Sequence, residues 1–483
     1  MLFNSIDFMI FFPVVTMIYF VIPRKIRYLW LLAASYYFYM SWNPKYAVLM
    51  LLSTVITYAS GLLIEKSNGS KKKKLWLAGS LIGNLGILCV FKYANFLLTN
   101  IFSMMSFLGI RVIDRKLDLL LPVGISFYTF QALSYTIDVY RGNVRAEKNM
   151  FRYALFVSFF PQLVAGPIER SNRLLHQIQN IEEIKVWDFD RIRDGFLLML
   201  WGLFQKLVIA DRASILVDHV INSYWSYGFL EISLAMILFA LQIYCDFDGY
   251  TNIARGAAGV MGFSLMKNFR QPYMAETIKE FWRRWHISLT SWFTDYLYIP
   301  LGGNRVGTMR KYVNILIVFA VSGLWHGASW NFIAWGILHA LYQIAGEIKG
   351  QFLRGKDTVP KSCSARIRKA AATFFLVDFA WIFFVCDGLR HALSVIRQMM
   401  TVFRTTTFDL GLNGANWFVL LFGTAVMVIV DILHEKGRSV FAMFHRQEFW
   451  LRWVVYVGLV WAVILFGIYG EQYSAGDFIY FQF

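Results

Sequence analysis

The chain has few residues with which to staple itself or bind metal. Four cysteines occur in 483 residues, Cys89, Cys245, Cys363 and Cys386, widely separated and mostly in apolar runs. That spacing supports neither a disulfide framework nor a zinc site. Other chemistries are excluded in the same way. His434-Glu435 is followed by Arg438, where a His-Glu-x-x-His zinc helix needs its second histidine. There is no Walker A sequence, and neither Ser322 nor Ser329 sits in a Gly-x-Ser-x-Gly elbow. His176, His219, His391, His434 and His445 belong to no motif and read as surface or structural residues. No linker, low-complexity tract or repeat divides the chain. A single integral domain is expected, with N-terminal spans over 1–118, a motif-bearing core over 119–350 and C-terminal spans over 351–483.

Charge is also missing, in long stretches. Residues 28–44, 46–64, 75–91, 93–110, 119–137 and 410–430 contain no Asp, Glu, Lys or Arg, and 58% of the chain is hydrophobic. A helix that crosses a bilayer needs ~20 mostly apolar residues, because lipid offers no partner to backbone N–H and C=O groups. A transmembrane barrel would show short alternating strands rather than such continuous runs. These patterns predict an all-α polytopic membrane protein of roughly eleven transmembrane helices plus re-entrant helices. The re-entrant candidates are 119–137 and 151–167, the second broken by Pro161, Gly166 and Pro167. Residues 1–22 carry one acid, Asp7, and no basic n-region, so they read as a retained span rather than a signal peptide.

What charge there is sits between the spans, and it is mostly positive. The net charge is +17. Lys and Arg placed between apolar runs suit anionic lipid headgroups rather than nucleic acid. Arg24, Lys25 and Arg27 follow the first span, a nearly neutral loop follows the second, and Lys71–Lys74 follow the third. Alternating basic loops predict an external N-terminus.

Three stretches could carry chemistry. Residues 313–346 are uncharged apart from His326 and His339, and they are too long for one span. Both flanks read as cytoplasmic, which predicts two helices meeting at a turn near 322–329, with His326 deep in the protein. An ionisable residue at that depth is a functional candidate. Around it, Trp325, Trp330 and Trp335 supply indole N–H donors and Asn331 an amide, while Gly323 and Gly327 permit close approach. The second stretch is Phe281-Trp282-Arg283-Arg284-Trp285-His286. It reads either as a phosphate-binding pair of arginines among aromatics or as an interfacial belt. The third places Asp246 and Asp248 at the end of an apolar run, where they would line a polar cavity or pair with Arg255. Two acids at that spacing are weak evidence for a divalent-metal site, and none is expected.

Read together with Phe160-Pro161-Gln162-Leu163-Val164-Ala165-Gly166-Pro167, Asp295-Tyr296-Leu297-Tyr298-Ile299-Pro300-Leu301-Gly302-Gly303-Asn304-Arg305 and Ser322-Gly323-Leu324-Trp325-His326-Gly327, the chain resembles the membrane-bound O-acyltransferase superfamily. It is most similar to the bacterial branch that acetylates polysaccharides such as alginate. The resemblance implies a bundle with a central tunnel in a bacterial cell (inner) membrane, with His326 as the catalytic histidine and His286 as a second functional histidine. Arg283, Arg284, Trp285, Trp325, Trp330, Asn331, Asp246 and Asp248 are the expected donor-binding and tunnel residues. No permanently bound cofactor is expected; acetyl-CoA or another acyl thioester would be the donor substrate. The expected partners are an extracytoplasmic hydrolase-like acyltransferase, a polysaccharide acceptor, membrane lipids and an acyl carrier protein. The competing readings are D-alanyl transfer from a carrier protein toward teichoic acid and transport of a lipid-linked sugar.

Overall fold

A computed structural model describes residues 1–110, 117–119, 121–352, 362–403, 409–469 and 478. Arg115 and Lys116, and the basic stretch 353–361, lie outside the described residues. Every regular element among the described residues is helical. In chain order the helices are α1 (Ile6–Val21), α2 (Arg27–Met40), α3 (Pro44–Lys66), α4 (Ser70–Leu88), α5 (Ala94–Phe107), α6 (Ile125–Arg141), α7 (Met150–Ser158), α8 (His176–Gln179), α9 (Phe189–Leu203) and α10 (Asp211–Asn222). The 33-residue α11 (Phe229–Met261) follows, then α12 (Ile278–Arg284), α13 (Ile287–Phe293), α14 (Thr308–His326), α15 (Trp330–Phe352), α16 (Cys363–Val385), α17 (Leu389–Thr401), α18 (Gly414–Glu435), α19 (Val440–His445) and α20 (Phe449–Phe466).

Among the described residues, five helices are long and apolar enough to cross a membrane: Pro44–Lys66, Ser70–Phe107, Phe229–Met261, Gly414–Glu435 and Phe449–Phe466. Many outward-facing side chains on them are large and apolar, among them Leu51, Ile82, Phe418 and Trp461, which is how a helix meets lipid rather than water. Two spans expected over 75–91 and 93–110 form one 38-residue helix instead. No Gly or Pro follows Gly86 before the end of α5, and a π-turn at Cys89–Tyr93 keeps the helix going.

The chain divides into two compact units. One contains Met1–Phe196 and Ala254–Met266, the other Leu197–Ile253 and Lys267–Phe483. In the first, α3 packs on α4 and α6. Gly61 lets Tyr135 approach α3, since a Cβ there would lie 2.8 Å from the ring. The segment after α7 is irregular yet fully buried, so its polar groups need internal partners. Gln162 Nε2 donates to Gln131 Oε1 at 2.9 Å, and the Phe160 N–H donates to Ser35 Oγ at 3.1 Å.

The second unit is centred on the antiparallel pair α14 and α15, joined by a three-residue turn and backed by α16. The expected turn between 322 and 329 is where α14 ends. The two helices meet through glycine: a Cβ on Gly323 would lie 2.2 Å from the Phe332 carbonyl oxygen, and one on Gly336 would lie 2.2 Å from that of Phe319. Small residues at such a crossing let the backbones approach closely, the usual way helices bind each other in lipid.

Candidate active site

His326 is the last residue of α14, next to the turn into α15, and is 4% exposed. Its ring lies edge-on to Trp335 at 5.0 Å between centroids and near Phe384 at 5.6 Å. Trp335 stacks on Trp381 at 5.7 Å. The result is an aromatic cage with polar edges, built from α14, α15 and α16.

His286 completes the pair, 6.3 Å from His326 between ring centroids. It is 0% exposed, with Phe247 edge-on at 4.7 Å and Trp325 at 6.0 Å. It sits in the break between α12 and α13 with φ 42° and ψ 55°, in the left-handed region. A side chain there costs about 1 kcal/mol or more, so the surroundings must impose it. Asn268 does so. Its carbonyl accepts the Ile287 N–H at 2.9 Å, its Oδ1 accepts the Ser288 N–H at 3.3 Å, and its Nδ2 donates to Thr251 at 3.4 Å. The Arg270 N–H donates to the Arg284 carbonyl at 2.9 Å on the other side of the histidine.

The remaining expected site residues separate into groups. Trp325 joins the histidines, whereas Trp285 is buried core, stacked on Phe281 at 5.5 Å and against Trp381 at 5.2 Å. Trp330 is 53% exposed at the start of α15. Arg284 is held by carboxylates: Nη1 and Nη2 donate to the two Glu435 oxygens at 2.7 and 3.0 Å, and Nη2 also donates to Glu280 at 2.6 Å. A guanidinium used this way acts as a clasp between α12 and α18. Arg283 points elsewhere, into a cavity of about 260 Å³ with Lys279, Tyr298, Phe319, Gln343 and Glu347 on its walls. Asn331 Nδ2 donates to the carbonyls of Phe383 and Cys386 at 3.0 Å each, closing the end of α16.

The two acids lie in mid-helix, because α11 continues past them to Met261. Gly249 and Gly202 make this possible by bringing α11 and α9 into backbone contact. Asp246 pairs with buried Lys206 at 2.6 Å, and the same ammonium reaches Asp211 at 2.8 Å. Asp248 accepts from Gln205 at 2.9 Å and from Asn252 at 3.0 Å. Between these two acids, Phe247 touches His286, so the charged network supports the helix that packs on the site.

Sequence reasoning gave no role to four contributors, His339, Trp381, Phe384 and Lys206. His339 is fully buried and accepts the Trp282 indole N–H on Nδ1 at 3.3 Å. An indole nitrogen can only donate, so a neutral His339 carries its proton on Nε2. Trp381 and Phe384 come from α16, outside every motif. Signals for the others were present. His339 is an ionisable residue inside the otherwise uncharged run 313–346, and Lys206 stands alone in an apolar run.

A buried histidine pair in an aromatic cage, packed against the long apolar helix α11, is suited to acyl chemistry in a membrane protein. The membrane-bound O-acyltransferase family matches residues 145–389, and the chain belongs to that family. It is a multi-pass membrane O-acyltransferase. Among curated proteins it is similar to the probable alginate O-acetylase AlgI of Pseudomonas putida, 36% identical over 83% of this chain and 80% of the relative. It is also 35% identical to the peptidoglycan O-acetyltransferase of Helicobacter pylori, over 86% of this chain and 81% of that protein. The teichoic acid D-alanyltransferase of Bacillus subtilis is 26% identical over 56% of the chain and 70% of its own length.

Proposed function

We propose that the protein transfers acetyl groups from a cytoplasmic acyl thioester, acetyl-CoA, to hydroxyls of an extracytoplasmic polysaccharide. The observation that carries this reading is the His286–His326 pair, 6.3 Å apart in the buried cage, together with acetylating relatives that span more than four-fifths of the chain. The D-alanyltransferase relative is less similar over a shorter stretch.

In this mechanism a neutral His326 takes the proton of the acceptor hydroxyl as its oxygen bonds to the thioester carbonyl carbon. The tetrahedral centre then collapses, the C–S bond breaks, and the proton passes from the imidazolium to the departing thiolate. General-base help of this kind is worth about 10²–10⁴-fold. His286 orients the reacting groups from the opposite side. With the Asn331 amide engaged at α16, the Trp335 indole N–H is the donor assigned to the developing oxyanion. A hydrolase-like extracytoplasmic partner carrying a serine completes delivery to the glycan. The setting is the bacterial inner membrane, with the N-terminus outside.

The test is label transfer from radiolabelled acetyl-CoA to envelope extract by the protein in nanodiscs, comparing wild type with His326→Ala. Transfer is expected from wild type and a loss of at least about 100-fold in the variant. Equal transfer by both proteins would refute the role of His326. Transfer only from a D-alanyl carrier protein would replace the donor.

A further inference from the structure

The cationic rim of the cavity has no part in this acid–base chemistry. Lys279 on α12 and Lys311 on α14 converge on one carboxylate, that of Glu347 on α15. Lys279 Nζ lies 3.5 Å from Oε1, and Lys311 Nζ makes a closer contact with Oε2. Arg283, one helical turn from Lys279, lines the same cavity. Two lysines therefore share one carboxylate, and a third cation, Arg283, stands on the same cavity wall. Gathering like charges is unfavourable unless anions sit between them, and among the described residues Glu347 is the one carboxylate that pairs with Lys279 and Lys311, against three cations.

The position of this rim relative to the histidines follows from the helices themselves. Fifteen residues separate Lys311 from His326 along α14, and sixteen separate Asn331 from Glu347 along α15. At 1.5 Å per residue, both helices place the rim ~22–24 Å from the reacting end. Between them lie Trp335 and His339, both fully buried, and Gln343, which lines the cavity together with Glu347.

We propose that Glu347 is an internal stand-in for a phosphate of the donor: it occupies Lys279 and Lys311 until a phosphate-bearing thioester arm displaces it. The inference rests on the thioester reading given under the proposed function. A phosphate carries more charge than a carboxylate and offers three acceptor oxygens, enough for both lysines and Arg283 together. Glu347 then acts as a competitor built into the site. It keeps the rim closed to weak anions and lowers the affinity for every phosphate-bearing donor by the same factor. Donors without phosphate do not experience it.

The experiment is equilibrium binding to the full chain in nanodiscs. Radiolabelled acetyl-CoA is displaced by 4′-phosphopantetheine, by pantetheine and by inorganic phosphate, using wild type, Glu347→Gln and Lys311→Met. Glu347→Gln is expected to bind acetyl-CoA and 4′-phosphopantetheine about five-fold more tightly, with pantetheine unchanged. Lys311→Met is expected to weaken the phosphate-bearing ligands by about ten-fold, again with pantetheine unchanged. If wild type binds acetyl-CoA while Glu347→Gln binds both phosphate-bearing ligands no more tightly, Glu347 is only a clasp and the proposal falls alone. If wild type binds no acetyl-CoA, the donor reading falls and takes the proposal with it. A thermal unfolding curve for each variant shows that the fold is retained.

Discussion

Asn331 and Arg284 show how much a side chain's partners decide. Both are residue types that suit catalysis and both lie in chemically suggestive stretches, yet each is committed to holding distant elements together. Asn331 binds carbonyls 52 and 55 residues away, and Arg284 binds a carboxylate 151 residues away. Asn331→Ala should therefore act on stability. Two buried carbonyls lose their donor, at a cost of about 2 kcal/mol, and the thermal unfolding midpoint should fall while the folded fraction keeps kcat within about three-fold. An unchanged midpoint with kcat lowered by about 100-fold would make Asn331 an oxyanion donor instead. His286 teaches the same lesson. The family resemblance pointed to it, but its left-handed backbone depends on Asn268, eighteen positions earlier, and no local pattern encodes that.

At the scale of elements, the α14–α15 pair was the most legible feature. A 34-residue run is too long for one crossing, and glycines at its middle mark a turn. How closely the two helices pack was less evident. Gly323→Ala and Gly336→Ala each drive a methyl to 2.2 Å from a backbone carbonyl oxygen. Each should destabilise the protein by about 3 kcal/mol and reduce the yield of folded material. Gly346 lies on the same helix pair with nothing within 4 Å of an added Cβ, so Gly346→Ala is the neutral control. Thermal unfolding in detergent would separate the three; equal midpoints would show that the helices do not depend on this contact. Where helices run on, the sequence misled. The π-turns at Cys89–Tyr93 and Phe204–Ala210 take up irregularity without a break, because an i→i+5 bond still satisfies the backbone.

For the whole molecule, the alternation of basic loops carries a prediction about orientation. Cys363 is exposed at the start of α16, whereas Cys245 and Cys386 are buried. Under the positive-inside rule the basic segment before α16 is cytoplasmic. A membrane-impermeant maleimide added to intact cells should leave Cys363 unmodified and label it only after lysis. Labelling of Cys363 in intact cells would invert the orientation and move the cationic cavity to the outer face.

That this chain is helical and crosses a membrane was legible in its residues alone, because both follow from the length of apolar runs and the cost of unpaired backbone groups in lipid. The sequence also marked His326 as a candidate, since an ionisable residue deep in an uncharged run is costly, while His286 entered through the family resemblance. Folding in three dimensions settles which side chains surround those histidines and which close helix ends or neutralise buried charge. Hydrogen-bond partners and ion pairs are matters of distance in space. Asp246 and Lys206, forty positions apart, are joined at 2.6 Å, and it took the close packing of Gly202 against Gly249 to bring their helices into contact.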